Sequence, residues 1–223
     1  MNSNHFPIPT GPTIRSAIER LSPSVLELAR GQATATLHES AGRIGAMPMA
    51  IKPVAPSFKV CGSAVTVHSP AGDNLWLHRA IYVAQPGDIL VVHVSDAYNF
   101  GYWGEIMSAA AKSRGLGGLV IDGCVRDGAI LENFGFPVFA RGLCIRGTGK
   151  DFGARGWINH PTLFGDLTVN PGDLVVGDAD GVVVLPGAQA RQFIQAAVER
   201  EKKEVGIIER IKAGERTLEL YNF

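Results

Sequence analysis

Long apolar runs are missing: nothing in the 223 residues approaches the roughly 20 needed to cross a bilayer. The stretch Met1 to Thr13 has neither a basic segment nor an apolar segment of the kind that directs export. The expectation is a cytoplasmic protein with no membrane contact. Cysteine is scarce, and Cys61, Cys124 and Cys144 are an odd number, far apart, with no CxxC pair. A disulfide framework and a thiolate zinc site are therefore not expected, and the three read as small buried apolar side chains. Neither charge is in surplus, because Lys plus Arg (21) equals Asp plus Glu (21). Nucleic acid and anionic lipid both call for a basic excess, so no nucleic-acid partner is expected.

Several catalytic signatures are missing too. No Gly-x-Ser-x-Gly elbow occurs, which argues against a serine hydrolase. Gly115-Leu116-Gly117-Gly118 follows a helical pattern and precedes a strand, the reverse of the dinucleotide-binding order, and no Lys-Ser/Thr follows a glycine loop. Asp178-Ala179-Asp180-Gly181 echoes part of a calcium loop without its closing Glu and reads as a turn. Lys52, Lys59, Lys112 and Lys150 sit in no constellation that would make a Schiff-base lysine.

What is present is the composition of a packed globule: 46% hydrophobic, 19% charged, with 27 Gly and 13 Pro marking short strands and tight turns. Ser22-Pro23-Ser24 opens a helix that Gly31 ends. Strands follow at Val60 to His68 and, after Pro86-Gly87-Asp88, at Ile89 to Val94. The glycine-containing loop Asn99 to Gly104 enters a helix from Glu105 to Arg114. Leu119 to Ile121, a turn from Asp122 to Asp127, a short helix to Phe134 and a strand at Pro137 to Ala140 form a βαβ crossover. Leu163 to Val169, Leu174 to Val176 and Gly181 to Leu185 are β, and Gln189 to about Lys212 is a long amphipathic helix. The fold class is α/β in one domain over 1–223: an N-terminal helical extension to about 40, a core of about 41–186, and a C-terminal helix of about 187–213.

The chemistry concentrates at Arg126-Asp127. Both follow an aliphatic strand through a glycine-containing turn, which sets them at the strand's carboxyl end, where open α/β sheets bind ligands. Arg offers a planar fork for a carboxylate and Asp a hard oxygen for Mg²⁺ or Mn²⁺. Together they suit a 2-oxo acid, although an isolated Arg-Asp pair is more often a surface ion pair. Glu105 opens a helix whose first amides, at Ile106 and Met107, make a ready anion site; its bland reading is helix-start electrostatics.

Gly72-Asp73-Asn74, Trp103-Gly104-Glu105, Arg114-Gly115, Val120 to Asp127, Gly135 to Gly142 and Pro171 to Asp178 together resemble the 4-hydroxy-4-methyl-2-oxoglutarate aldolase family. That family includes the 4-carboxy-4-hydroxy-2-oxoadipate aldolases and shares its fold with the regulator of ribonuclease activity A. The likeness runs from about Leu21 to Glu204. It implies a β/β/α domain like the swivelling phosphohistidine domain, and a divalent-metal-dependent class II pyruvate aldolase with an oxaloacetate decarboxylase side activity. It further implies trimers or hexamers with active sites between subunits. On this resemblance Arg126 is the substrate arginine, Asp127 the direct Mg²⁺ or Mn²⁺ ligand, and Glu105 a ligand through water. Gly104, Ile106 and Met107 face pyruvate. Glu39, and Glu204 or Glu201, come from a neighbouring chain. Ile130 stands where the family often has an acidic residue. The alternative is a non-catalytic protein that binds a ribonuclease or helicase.

Overall fold

The computed structural model describes residues 11–223. Residues 11–22 run extended, not helical: Arg15 donates to the Ile158 carbonyl (3.2 Å) and Ile158 to the Thr13 carbonyl (2.8 Å). Arg20 grips buried Asp88 with two parallel bonds, Nε to Oδ1 at 2.9 Å and Nη2 to Oδ2 at 2.8 Å. Pro12 lacks an N–H, and the Arg15 amide and Thr13 carbonyl pair with Ile158 in place of a helical partner. The expected N-terminal helices begin after this extended run and are two, and the first ten positions of the expected extension lie outside the described residues. In α1 (Pro23–Arg30), Ser22 Oγ accepts the Val25 amide and Pro23 fills the first turn. The second helix, α2 (Thr34–Ser40), has Ala33 before it and no cap of its own. Asp178 caps it from far along the chain, accepting from the Thr34 amide at 2.9 Å and hydroxyl at 2.7 Å.

After the short β1 (Lys52–Pro53), three crossovers follow one another. They comprise β2 (Val60–His68), α3 (Leu75–Val83), β3 (Ile89–His93), α4 (Glu105–Ser113), β4 (Gly118–Asp122), a short β5 (Cys124–Val125), α5 (Gly128–Phe134) and β6 (Val138–Ala140). The strands β2, β3, β4 and β6 are parallel neighbours. Helix α3 goes beyond the sequence reading: its residues are nearly all apolar, so no amphipathic pattern marks it. Trp76, Leu77, Ala80 and Ile81 are buried, and Asp73 Oδ1 accepts the Leu75 amide at 2.8 Å to start it.

Next come β7 (Gly142–Leu143), beside β5, and β8 (Trp157–Ile158), antiparallel to the carboxyl half of β2. The single strand expected at Leu163 to Val169 is corrected to a hairpin, β9 (Thr162–Phe164) and β10 (Leu167–Val169), because Gly165 turns the chain at φ 64°. A second hairpin, β11 (Leu174–Asp178) and β12 (Gly181–Leu185), lies antiparallel to the amino half of β2, with the expected turn at Asp178 to Gly181. The sheet order is β1-β6-β4-β3-β2-β11-β12. The backbone at Gly45 and Met47 bonds to Val184 and Val182, so the sheet curls back toward closure.

The long α6 (Ala190–Lys212) and a last turn, α7 (Thr217–Leu220), end the chain. Alternation on β11 and β12 divides two cores. Val175, Val182 and Val184 join the main core with the parallel strands, while Leu174, Val176, Val183 and Leu185 meet Val25, Ala29, Leu37, Ile194 and Ala197. Only the first turns of α6 are buried; Val205, Ile208 and Ile211 are exposed. The three cysteines are half-buried, not buried as expected. Burial still pushes the Cys61 thiol up to about 11. Among the described residues, no helix is long and apolar enough to cross a membrane.

Candidate active site

The turn after β4 makes the site. Asp127 caps α5 with φ 64°, a left-handed conformation that L-residues adopt only where surroundings enforce it. Three bonds enforce it here: Arg126 N–H donates to the Trp103 carbonyl (2.9 Å), Tyr102 N–H to the Cys124 carbonyl (3.0 Å), and Glu105 N–H to Asp127 Oδ2 (3.0 Å). The start of α4 is thereby tied to the start of α5. Gly104 lies between them, and a Cβ there would fall 2.3 Å from Asp127 Oδ2. Glycine is the one residue that allows this approach. The Asp127 carboxylate sits at the positive end of α4, and Arg126 Nε is 3.9 Å from its Oδ2.

Arg126, Asp127, Gly104, Glu105, Ile106 and Met107 line one cavity of about 430 Å³. The structure therefore brings together six of the residues singled out in the sequence. It also adds Asn74, His78 and Lys150. Asn74 is buried; its Nδ2 donates to the Tyr102 carbonyl at 2.9 Å, and its Oδ1 has no hydrogen-bond partner. Burial, followed by the charge of Lys150, holds the His78 imidazole below its usual range, with Asp73 acting the other way. Lys150 reaches the cleft because Gly149 pairs with the Gly72–Asp73 backbone, with Gly149 N–H on the Gly72 carbonyl at 2.7 Å. Sequence reasoning left Lys150 outside any constellation, since this loop pairing spans more than seventy residues. The block Gly72-Asp73-Asn74 was the one available signal.

Glu39 and Glu204 do not line this cavity. Arg200 joins them elsewhere, on α2 and α6: its Nε is 2.7 Å from Glu204 Oε1 and its Nη2 3.6 Å from Glu39 Oε2. A hydrogen bond from Arg43 Nε (3.1 Å), with the charges of Arg43 and Arg200, holds the Glu39 carboxyl below the usual carboxylate range. Glu201 is exposed on α6. Arg141 is engaged with Asp122, Nε to Oδ1 at 2.5 Å.

Among the described residues, no group of three or more His, Cys, Asp and Glu side chains could hold a metal ion. The cleft carries two carboxylates, Asp127 and Glu105. Two hard oxygen donors fit Mg²⁺ or Mn²⁺, which keep several waters, and do not fit a closed zinc centre.

The profile of the RraA-like family, described as Aldolase/RraA, matches residues 31–184. A protein of Halalkalibacterium halodurans, provisionally named as a 4-hydroxy-4-methyl-2-oxoglutarate aldolase, is 38% identical over 151 residues, 68% of this chain and 71% of that one. A crystal structure of an uncharacterized Pseudomonas syringae protein superposes with a TM-score of 0.78 at 29% identity, covering 89% of this chain and 92% of that one. Streptomyces coelicolor RraAS2, described as an unusual member of the RNase ES inhibitor RraA family, gives a TM-score of 0.74 at 26% identity, covering 84% and 97%.

Proposed function

This chain belongs to the RraA-like family described as Aldolase/RraA, and on that footing we propose that it is a divalent-metal-dependent class II pyruvate aldolase. The reaction is retro-aldol cleavage of a 4-hydroxy-2-oxo di- or tricarboxylate to pyruvate and a second 2-oxo acid. The observation that carries this reading is the joining of Arg126 and Asp127 to the first turn of α4 in one cleft.

Asp127, with Glu105 through water, would hold Mg²⁺ or Mn²⁺, and the bound ion would supply Lewis-acid polarisation of the 2-oxo group. Asp127 is suited to this because the Glu105 amide fixes one of its oxygens and leaves the other for a ligand. The Arg126 guanidinium grips the substrate carboxylate as a fork. Loss of the C4 hydroxyl proton breaks the C3–C4 bond, and the electron pair passes into pyruvate enolate. Arg126 and the Ile106 and Met107 amides lie where that negative charge develops. Protonation at C3 then completes pyruvate. Oxaloacetate decarboxylation passes through the same enolate and is proposed as a side activity.

We propose further that the site is completed between subunits of a homotrimer or homohexamer. Ile106 is 79% exposed and Ile145 96%, apolar side chains that a neighbouring subunit would cover. Glu39 and Glu204 share one face of α2 and α6, as a pair lent to a neighbour's cleft would.

Pyruvate release from 4-hydroxy-4-methyl-2-oxoglutarate, measured with EDTA and then with Mg²⁺ or Mn²⁺ restored, tests the reading. Activity that EDTA abolishes and metal restores supports it. A borohydride-trapped pyruvate adduct contradicts it. Inhibition of a ribonuclease without any lyase activity would favour the role described for the Streptomyces relative.

A further inference from the structure

The cleft has two unlike sides. The strand order β6-β4-β3-β2 makes each crossover step the same way along the sheet, so right-handed connections set α3, α4 and α5 side by side on one face. Helix α4 packs between the other two. Asp127 is bonded to the first turn of α4, so one side of the cleft belongs to α3 and the other to α5.

The α3 side carries charge. Asn74 and His78 come from α3 and its cap, and Thr148 and Lys150 from the loop before β8. That loop is strapped to the turn before α3. Gly149 N–H donates to the Gly72 carbonyl at 2.7 Å, Asn74 N–H to the Gly149 carbonyl at 3.3 Å, and Asp151 N–H to Asp73 Oδ2. Main-chain bonds on both sides of Lys150 therefore fix where its side chain starts. Among the described residues, no carboxylate pairs with Lys150. Burial and then the Lys150 charge hold the His78 imidazole below its usual range, which keeps it neutral and leaves Lys150 as the cation of this side.

The α5 side is apolar. Ile130, in the first turn of α5, lines the cavity and is 45% exposed. Its N–H on the Asp127 carbonyl, at 2.9 Å, holds it one turn from the carboxylate. Leu143 lies against the same turn, where a Cβ on Gly128 would fall 2.6 Å from Leu143 Cδ1. A carboxylate turned toward these side chains would lose water and gain no donor from them. Ile130 also stands where the resembled family often has an acidic residue, so this apolar side is particular to the chain.

We propose, on the aldolase reading above, that the cleft sorts the groups on C4 of its substrate and so cleaves one enantiomer. Arg126 holds the 2-oxo acid end, Lys150 takes a carboxylate on C4, and Ile130 takes an alkyl group there. Three of the four groups on that carbon are then directed, and the hydroxyl has one place left. In the mirror image the carboxylate and the alkyl group exchange sides, which sets an anion against Ile130 and an apolar group against Lys150. The substrate class is a 4-hydroxy-2-oxo acid whose tertiary C4 bears both a carboxylate and an alkyl group.

Racemic 4-hydroxy-4-methyl-2-oxoglutarate, incubated with the Mg²⁺-loaded protein while lactate dehydrogenase removes pyruvate, tests this. Release is expected to slow at half of the total and leave optically active substrate, with kcat/KM for the two enantiomers roughly tenfold or more apart. Lys150→Met is expected to lower kcat/KM for the favoured enantiomer, and Ile130→Lys to raise it for the disfavoured one, so the ratio shrinks in both. Pyruvate carries no C4 group, and its constant as a competitive inhibitor is expected to be unchanged in both variants. Equal consumption of the two enantiomers, an unchanged ratio in either variant, or a pyruvate constant that moves with turnover overturns the sorting while leaving the aldolase reading in place. No pyruvate from either enantiomer, with Mg²⁺ or Mn²⁺ present, refutes that reading and the sorting with it.

Discussion

Two regions of this chain hold the acidic residues that the sequence singles out, and they are built in opposite ways. Around Asp127 the backbone does the holding: a left-handed φ, the Glu105 amide on the carboxylate, and Gly104 with no room for a Cβ. Around Glu39 and Glu204 long side chains meet in water, through Arg43 at 3.1 Å and Arg200 at 3.6 and 2.7 Å. The first arrangement is organised before anything binds, as electrostatic stabilisation of a developing charge requires. The second is exposed, screened by salt and free to rearrange. The proposed division of labour follows: the rigid half of the site belongs to one subunit, and the adjustable half is offered to another.

The sharpest way to break that contrast is Asp127→Ala, which is expected to abolish metal-dependent pyruvate release in a coupled lactate dehydrogenase assay. Full activity would remove the rigid half from the site. Arg126→Ala comes next, with a loss of about 3 kcal/mol of transition-state stabilisation, read from kcat/KM, as for other charge-stabilising donors. Its folding is expected to stay intact by circular dichroism, because the side chain is half exposed. Gly104→Ala tests the close approach directly. The new Cβ collides with Asp127 Oδ2, so urea unfolding is expected to show a loss of about 1–3 kcal/mol, with activity falling alongside it. A stable, active Gly104→Ala protein would mean that the carboxylate position is not tightly set.

On the adjustable side the effects are smaller. The Glu39 carboxyl is held low by Arg43 and then Arg200, so its ionised form favours the folded state. That contribution is present above the ordinary carboxyl range and is lost as the pH falls through the lowered value. In Arg43→Ala the Glu39 midpoint, followed by ¹³C NMR of the side-chain carboxyl, is expected to move up. Arg200→Ala is expected to leave thermal stability near wild type while lowering turnover in a salt-dependent way. A variant as active as wild type at both low and high salt would remove the patch from the site.

Much of this was legible in the sequence where local chemistry decides. Ser22-Pro23 starts α1, glycine and proline turns bound the strands, and the run from Leu119 to Ala140 reads as a crossover with Arg126 and Asp127 at its turn. Long-range pairing hid the rest. Lys150 reaches the cleft only because Gly149 bonds to Gly72, and α2 has a cap only because Asp178 reaches back to Thr34. Helix α3 was hidden differently: its apolar residues give no period to read.

Anomalous diffraction at the manganese edge, from crystals soaked in Mn²⁺ and pyruvate, tests the central claim most directly. The account predicts a single strong peak bonded to an Asp127 carboxylate oxygen, with the pyruvate carboxylate on Arg126. A map with no peak at Asp127, in a crystal that shows pyruvate bound, would contradict it.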